Sequence, residues 1–452
     1  MNIPHTLWKL WGLKRNESLS PAKIQRIQQK RLRRLLRYAW DRSPYYRERF
    51  RQAGITEEAL DTAPLSAFPT LDKAALLENF DRLVTVPDLK QAELRRFDAH
   101  NTTDRRPFLG KYHLIHSSGS TGEPGYFVYD EAAWNTMLPG IIRGALWGMS
   151  MPQILRLLAG KPRILYIAAT DGRYGGAMAV GGGVEGVGGS QMYLDIKTPL
   201  SQWVAQVKQF RPNFIIGYPS AIKILAELAQ RREVSLSVLR VVSCGEPLGA
   251  SLRRFLEDTF HAQVINFYGA SESLALGVEG DPAQGLLLFD DLNIIEEGPD
   301  GLYLTCLYNL VQPLIRYRLS DHITIEEPSG PWPFSRAVGL LGRNEDVLWF
   351  EDEGGRREFL HPLAIEGFCI PGLLDYQFRQ TGKGSFEILA ETVDREAIEG
   401  ELRRQLRGIL LEKGLSYLTF SVRFVEEIRP DPATGKKRLV LTLPRGERRY
   451  EG

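Results

Sequence analysis

The sequence predicts an α/β protein: a large N-terminal domain with mostly parallel sheets, followed by a small α+β C-terminal domain. Three observations predict it. Apolar strand-like runs alternate with helical patterns from about residue 112 to 325. Beyond about residue 343 the pattern changes to strand-like runs flanking one charged helix. The chain has 452 residues, 43% hydrophobic and 25% charged, enough for two or three domains with an ordinary globular core.

Taken in order, residues 22–53 read as helical. Ile24, Ile27, Leu32, Leu35, Leu36 and Tyr38 fall near helical spacing, and Pro44 marks a break. The same stretch carries Lys23, Arg26, Lys30, Arg31, Arg33, Arg34 and Arg37. A basic amphipathic helix suits a membrane surface or nucleic acid, and equally a solvated face over a packed one. The net charge of +2 favours the solvated face and excludes a wide basic field for nucleic acid.

The central strands are read at Arg163–Ala169, Asn213–Gly217, Leu239–Ser243 and Gln263–Phe267, with a helix over Ser220–Arg232. Strand–helix–strand repetition argues for a parallel sheet, whose ligands favour the loops at the strand ends. Residues 168–190 are glycine-rich, and Gly181-Gly-Gly-Val-Glu-Gly186 formally matches a dinucleotide fingerprint. It lies over ten residues beyond the preceding strand, where that motif needs an immediate strand-to-helix turn. The segment is therefore expected to be a flexible loop on the substrate side.

In the C-terminal part, Ser385–Ala390 and Phe420–Val425 read as strands around a helix from Asp394 to Glu412, with Arg438–Leu443 as a third strand. The expected domains are 1–343 and 344–452, with a hinge near 343–346. Cys244, Cys306 and Cys369 are sparse and show no metal spacing, which fits a reducing compartment. The N-terminus lacks the apolar run of a signal peptide, and no stretch reaches the roughly 18 apolar residues of a membrane span. A cytoplasmic protein with no membrane span is expected, and homodimerisation stays open.

The most informative segment is His116-Ser-Ser-Gly-Ser-Thr-Gly-Glu-Pro-Gly125. Glycines let a backbone curl around a polyanion, and hydroxyls with exposed N–H groups supply donors to phosphate oxygens. No Gly-Lys-Ser/Thr follows, so this is not a Walker loop. A Ser/Gly/Pro-rich surface loop is the plain alternative.

Four further segments give that loop a context. It resembles the phosphate-loop signature of the adenylate-forming superfamily of acyl-CoA synthetases, peptide-synthetase adenylation domains and luciferases. Tyr268-Gly-Ala-Ser-Glu272 resembles the superfamily's Tyr-Gly-x-Thr-Glu, and Tyr317-Arg-Leu-Ser-Asp321 its Tyr-Arg-x-Gly-Asp. Gly342-Arg-Asn-Glu-Asp346 resembles its hinge motif, and Gly435-Lys436 its catalytic Gly-Lys. The five follow in the superfamily's order. Tyr45-Tyr46-Arg47, Gly245-Glu246-Pro247 and the short C-terminal domain resemble the phenylacetate–CoA ligase-like branch, with its capsule-biosynthesis-type relatives. Departures are Ser271 for threonine, Ser320 for glycine, Glu345 at the hinge, and Pro124-Gly125 where many members carry Pro-Lys.

The resemblance implies a ligase that forms an acyl-AMP from ATP and a carboxylic acid. It then transfers the acyl group to CoA or, alternatively, to an amine or a carrier-protein thiol. A non-catalytic nucleotide-binding protein on the same fold is a further reading, opposed by retention of Glu272, Asp321 and Lys436. Ser117, Ser118, Gly119, Ser120, Thr121 and Gly122 would hold the phosphates. Glu272 would help hold Mg²⁺, and Ser271 would hydrogen-bond the α-phosphate. Gly245, Glu246, Pro247, Tyr268 and Gly269 would form the adenine slot, Asp321 would accept from both ribose hydroxyls, and Arg343 would reach ribose or phosphate. Lys436 would bridge the carboxylate and the α-phosphate, with Lys437 the alternative register. Glu345 would be the hinge about which a mobile small domain turns. Tyr126, Phe127, Tyr218, Pro219 and Ser243 are pocket candidates, and aromatic lining suits an aryl or other apolar acid.

Overall fold

The computed structural model describes residues 3–100, 106–117, 125–168, 170, 173, 175–185, 189–195, 198, 200–298, 301–319, 321–343, 348–351, 357–360, 370, 372–382, 384–392, 394–412, 415–429 and 440–441. The chain opens with α1 (Ile3–Asn16), α2 (Pro21–Arg42) and α3 (Pro44–Gln52). Proline sits in the first turn of both α2 and α3, where its missing N–H costs nothing. Ser43 separates the two, and its hydroxyl accepts from Tyr46 N at 3.3 Å to cap α3. Ile24, Leu32, Leu35 and Leu36 are buried, so the helical spacing is the packed face. The Tyr46 hydroxyl donates to Pro313 O at 2.8 Å and accepts from Ile315 N at 3.2 Å. Short helices α4 (Lys73–Glu78), α5 (Phe80–Leu83) and α6 (Gln91–His100) follow.

An antiparallel hairpin comes next, β1 (Tyr112–His116) with β2 (Tyr126–Asp130), whose connection is the Ser/Gly-rich loop. Asp130 caps the next helix, α7 (Glu131–Ala145), by accepting from Ala133 N at 2.7 Å. The order then runs α8 (Met151–Ala159), β3 (Arg163–Ala168), α9 (Gly175–Glu185), β4 (Ser190–Asp195), α10 (Leu200–Phe210), β5 (Phe214–Gly217), α11 (Pro219–Gln230), β6 (Arg240–Cys244), α12 (Ala250–Phe260) and β7 (Val264–Ala270). Strands β8 (Ser273–Glu279), β9 (Leu286–Leu288), β10 (Asn293–Gly298), β11 (Gly301–Cys306), β12 (Tyr317–Leu319), β13 (Asp321–Glu326) and β14 (Arg336–Arg343) complete the large domain.

Nine of these strands form one sheet in the order β13-β14-β9-β8-β7-β6-β5-β3-β4. Neighbours from β4 to β7 are parallel, and those from β7 to β13 are antiparallel. In the parallel half, β3, β5, β6 and β7 are the runs that the alternating pattern predicts, and β4 is an edge strand that it does not. β6 is covered on both faces, as crossover helices require. Strands β10, β11 and β12 form a separate antiparallel sheet.

The glycine-rich stretch is not the expected loop. Residues 175–185 form helix α9, with Ala177, Met178, Ala179 and Val180 buried. A side chain at Gly176 would come within 2.1 Å of the Tyr166 hydroxyl on β3, so the missing side chain lets the helix lie close to the sheet. Burial there outweighs the weak helix propensity of glycine. Gly181 to Glu185 lie inside this helix, so the fingerprint-like string makes no strand-to-helix turn.

The small C-terminal domain contains β15 (Leu348–Glu351), β16 (Arg357–Leu360), β17 (Leu373–Gly382), β18 (Ser385–Thr392), α13 (Arg395–Glu412), β19 (Thr419–Val425) and β20 (Val440–Leu441). The last four strands form a sheet in the order β19-β18-β17-β20. Its own core joins Phe350, Phe378, Phe386 and Ile388 to Ile398, Leu402, Leu406 and Leu410 of α13. It meets the large domain where α12 contacts β17, and Lys223 on α11 forms a buried ion pair with Glu391 on β18. Among the described residues, no helix is long and apolar enough to cross a membrane.

Candidate functional site

Strands β3, β5, β6 and β7 all end on the same side of the sheet, because they are parallel neighbours. The loop after β6 holds the Gly245-Glu246-Pro247 step, the turn after β7 holds Ser271 and Glu272, and Tyr218 follows β5, all at the strand ends. Gly245 follows β6 with φ of +81°, in the left-handed region, and a Cβ there would lie 2.8 Å from the Tyr218 ring. The loop after β6 therefore lies flat on the aromatic ring that follows β5. The Glu246 carboxylate accepts from Ser220 N at 3.2 Å, tying the same two loops together at the start of α11. Pro247 continues this loop. Ser243, near the end of β6, is fully buried, and its hydroxyl has no hydrogen-bond partner among the described residues.

Tyr268 lies on β7, where the pairing with β8 shifts register between Tyr268 and Ala270, around Gly269. The shift leads into the turn that carries Ser271 and Glu272. The Tyr268 hydroxyl donates to Asp321 Oδ2 at 2.8 Å. Asp321 opens β13, and its cross-strand neighbour on β14 is Arg343. Three separate motifs therefore meet at one edge of the strand ends. Tyr317 joins them: its hydroxyl is hydrogen-bonded to Glu272, and burial keeps that phenol protonated far above its usual range. Tyr129 on β2 donates to Ser271 O at 2.9 Å.

The neck of the Ser/Gly-rich loop is well defined. Ser117 N donates to Gly125 O at 2.9 Å, and Gly125 N donates back to Ser117 Oγ at 2.8 Å. Just below, His116 Nδ1 lies 2.8 Å from Asp98 Oδ2, and His116 N donates to Arg173 O at 3.2 Å. Ser117 thus closes the loop. Ser118, Gly119, Ser120, Thr121 and Gly122 lie outside the described residues, as do Glu345, Lys436 and the side chain of Arg343.

Strand parity separates two of the pocket candidates. Tyr126 packs with Phe80, Leu89, Leu114 and Val128, whereas Phe127 and Tyr129 lie in the main core. Alternate residues of β2 face opposite sides. Tyr129 reaches Ser271, so Tyr126 faces away from the nucleotide motifs. The sequence reading named no role for Tyr129 or Tyr317; the signal for Tyr317 was its place at the head of the Tyr-Arg-x-x-Asp string. Cys306 is not a nucleophile candidate, because burial pushes its thiol up to about 11.

Comparison with known proteins agrees with this geometry. Residues 112–289 match the AMP-binding enzyme family model. The chain is 25% identical over 361 residues to a phenylacetate–coenzyme A ligase of Thermus thermophilus, covering 74% of this chain and 73% of the relative. It is 24% identical over 257 residues to protein CapK of Staphylococcus aureus, covering 54% and 55%. In fold it is similar to 2-hydroxyisobutyryl-CoA ligase in a postadenylation state, with TM-score 0.70, 19% identity, and 96% and 92% coverage. In its motifs, its strand-end site and these relatives the chain is similar to the adenylate-forming ligases, and among them to the phenylacetate–CoA ligases.

Proposed function

We propose that this chain activates an aryl or other apolar carboxylic acid with ATP and then passes the acyl group to CoA. In the first step a carboxylate oxygen attacks the α-phosphorus, the bond to the bridging oxygen breaks, and pyrophosphate leaves. In the second, the CoA sulfur attacks the acyl carbon, AMP leaves, and a thioester forms. The observation that supports this reading best is the Tyr268–Asp321 hydrogen bond. It sets a flat ring and a two-oxygen acceptor at the strand ends, beside the loop that carries Ser271 and Glu272.

In this reading Tyr268 and the Gly245-Glu246-Pro247 step receive the adenine. Asp321 accepts from the ribose hydroxyls. The loop whose neck is Ser117 and Gly125 holds the β- and γ-phosphates through Ser118–Gly122, and Ser271 binds the α-phosphate. Among the described residues no group of three or more His, Cys, Asp or Glu side chains forms a dedicated metal cage. A single carboxylate, Glu272, suits Mg²⁺, which takes most of its ligands from phosphate and water. When bound, the ion would neutralise phosphate charge. The unpartnered Ser243 hydroxyl and the Tyr218 ring are the proposed acid-side contacts. Lys436 of the small domain would offset charge in the transition state, and Glu345 would be the hinge of a domain boundary near 343–346. The cytoplasm, which supplies ATP and CoA, is the proposed compartment.

The test is acid-dependent exchange of labelled pyrophosphate into ATP, run across a panel of aryl and aliphatic acids. Exchange with one acid class supports the reading, and none with any acid overturns it. Adding CoA, amines and carrier protein in turn to the activated acid separates thioester formation from the alternative acceptors.

A further inference from the structure

Helix α1 presents two unlike faces. Leu10 and Leu13 are buried, and Asn16 donates to Asp291 Oδ2 at 2.8 Å, so one face is anchored to the large domain beside α7. His5, Trp8, Trp11 and Arg15 recur at three- and four-residue spacing on the other face, and all four are exposed. Trp8 is 62% and Trp11 48% exposed, unusual for two indoles one turn apart. Each is flanked by a cation, Lys9 at 5.7 Å from the Trp8 ring and Arg15 at 5.4 Å from the Trp11 ring.

Charge singles out the same region. Residues 3–42 hold 11 Lys and Arg against 2 Asp and Glu, a net of +9, while the whole chain is only +2. The remainder is therefore net −7 by difference. Helix α2 supplies exposed Lys23, Arg26, Lys30 and Arg34. These four cations lie on the solvent side of α2, whereas Arg31 and Arg33 turn inward, to the Asp291 carbonyl and to the Leu60 and Ala63 carbonyls.

We propose that α1 and α2 dock this protein on an anionic phospholipid surface, with Trp8 and Trp11 entering the interface and the α2 cations facing the headgroups. Indoles favour the boundary between headgroup and acyl chain, and basic side chains nearby add electrostatic attraction that falls off within a Debye length. Two large rings projecting from a helix anchored by its opposite face match a helix lying in the interface plane. Nucleic acid would use the cations, but recognition of a phosphate backbone does not call for paired exposed indoles. A second copy of this chain would bring the same positive charge against itself.

The experiment is co-sedimentation of the full chain with vesicles of phosphatidylcholine alone and of phosphatidylcholine mixed with phosphatidylglycerol. Sedimentation with the anionic vesicles only, reversed by salt, is expected. Trp8→Ser with Trp11→Ser, and separately Lys23→Gln with Arg26→Gln and Lys30→Gln, should each weaken partitioning by about tenfold or more. All five positions are solvent-facing, so pyrophosphate exchange and thermal melting serve as fold controls and should stay unchanged. Absence of sedimentation, equal sedimentation with neutral vesicles, or an unaffected Trp8/Trp11 variant overturns the proposal. So does binding to an oligonucleotide without binding to vesicles, or a lipid-free dimer that the tryptophan changes dissociate.

Discussion

The Tyr268 hydroxyl donates to Asp321 Oδ2 across 2.8 Å, although the two residues are 53 positions apart in the chain. The bond fixes one carboxylate oxygen of the residue proposed to accept from the ribose. It also orients the ring that is proposed to carry the adenine. Asp321→Ala should raise the KM for ATP by roughly ten- to hundredfold, the cost of losing hydrogen bonds to a charged group. Tyr268→Phe keeps the ring and should raise it only a few-fold. Pyrophosphate exchange across an ATP titration measures both, and unchanged ATP kinetics in Asp321→Ala would remove the ribose assignment.

Glu272 and Tyr317 form the second linked pair. Because burial keeps the Tyr317 phenol protonated, it donates to the carboxylate at any physiological pH. Glu272→Gln should slow adenylation and shift the Mg²⁺ dependence. Thr121→Ala should slow adenylation without that shift. Tyr317→Phe should raise the Mg²⁺ concentration needed for half-maximal rate, with a smaller loss at saturation. A Mg²⁺ titration identical in wild type and Glu272→Gln would end the metal role.

Separate assays of the two half-reactions test the small domain. Lys436→Ala should nearly abolish acid-dependent pyrophosphate exchange, yet still transfer the acyl group from synthetic acyl-AMP. Glu345→Pro, with its φ locked, should adenylate near normally and transfer slowly. Equal damage to both half-reactions in Lys436→Ala, or the split appearing in Lys437→Ala alone, would move the catalytic assignment elsewhere.

The Lys223–Glu391 ion pair links α11 to β18, and each side chain is only 7% exposed. Lys223→Met strands a buried carboxylate and should destabilise the attachment by about 3–5 kcal/mol. Replacing Glu391 by Met as well should recover most of the loss. Chemical denaturation of the single and double variants, with limited proteolysis between the domains, measures the coupling. Additive effects would show that the pair contributes nothing across this contact.

Arg143 and Asp291 form a bidentate pair at 2.8 and 2.9 Å with no solvent exposure. Burial opposes ionisation of Asp291, but Arg143, Asn16 and Arg31 outweigh it and hold the carboxyl below the usual aspartate range. A depressed value means stability that is present above the unfolded aspartate range and lost as pH falls through the folded value. Asp291→Asn should therefore cost about 3–5 kcal/mol at neutral pH and lose that part of the acid sensitivity. Asp290 has the opposite sign: burial pushes it up to about 7, so its contribution is lost as pH rises toward that value. Urea melts across a pH series should show Asp290→Asn flattening the neutral limb and Asp291→Asn the acid limb.

Sequence alone determined the features that local chemistry encodes. Runs such as Phe214–Gly217 and Arg240–Cys244 are strands because their apolar residues need burial on both faces. The Ser/Gly-rich loop, Tyr268–Glu272 and Tyr317–Asp321 stood out because their residue types and order suit phosphate, base and ribose. Tertiary structure alone decided which of these meet. The Tyr268–Asp321 bond depends on β7 and β13 sharing one sheet, and periodicity carries no information about which strands become neighbours. Tyr126 and Phe127 look alike in sequence, but strand parity turns them to opposite sides. Glycine's low helix propensity pointed to a loop at 175–185, and packing against Tyr166 made it a helix. In each case burial against a distant partner outweighed local preference, because tertiary contacts contribute more free energy than the fraction of a kcal/mol that separates propensities.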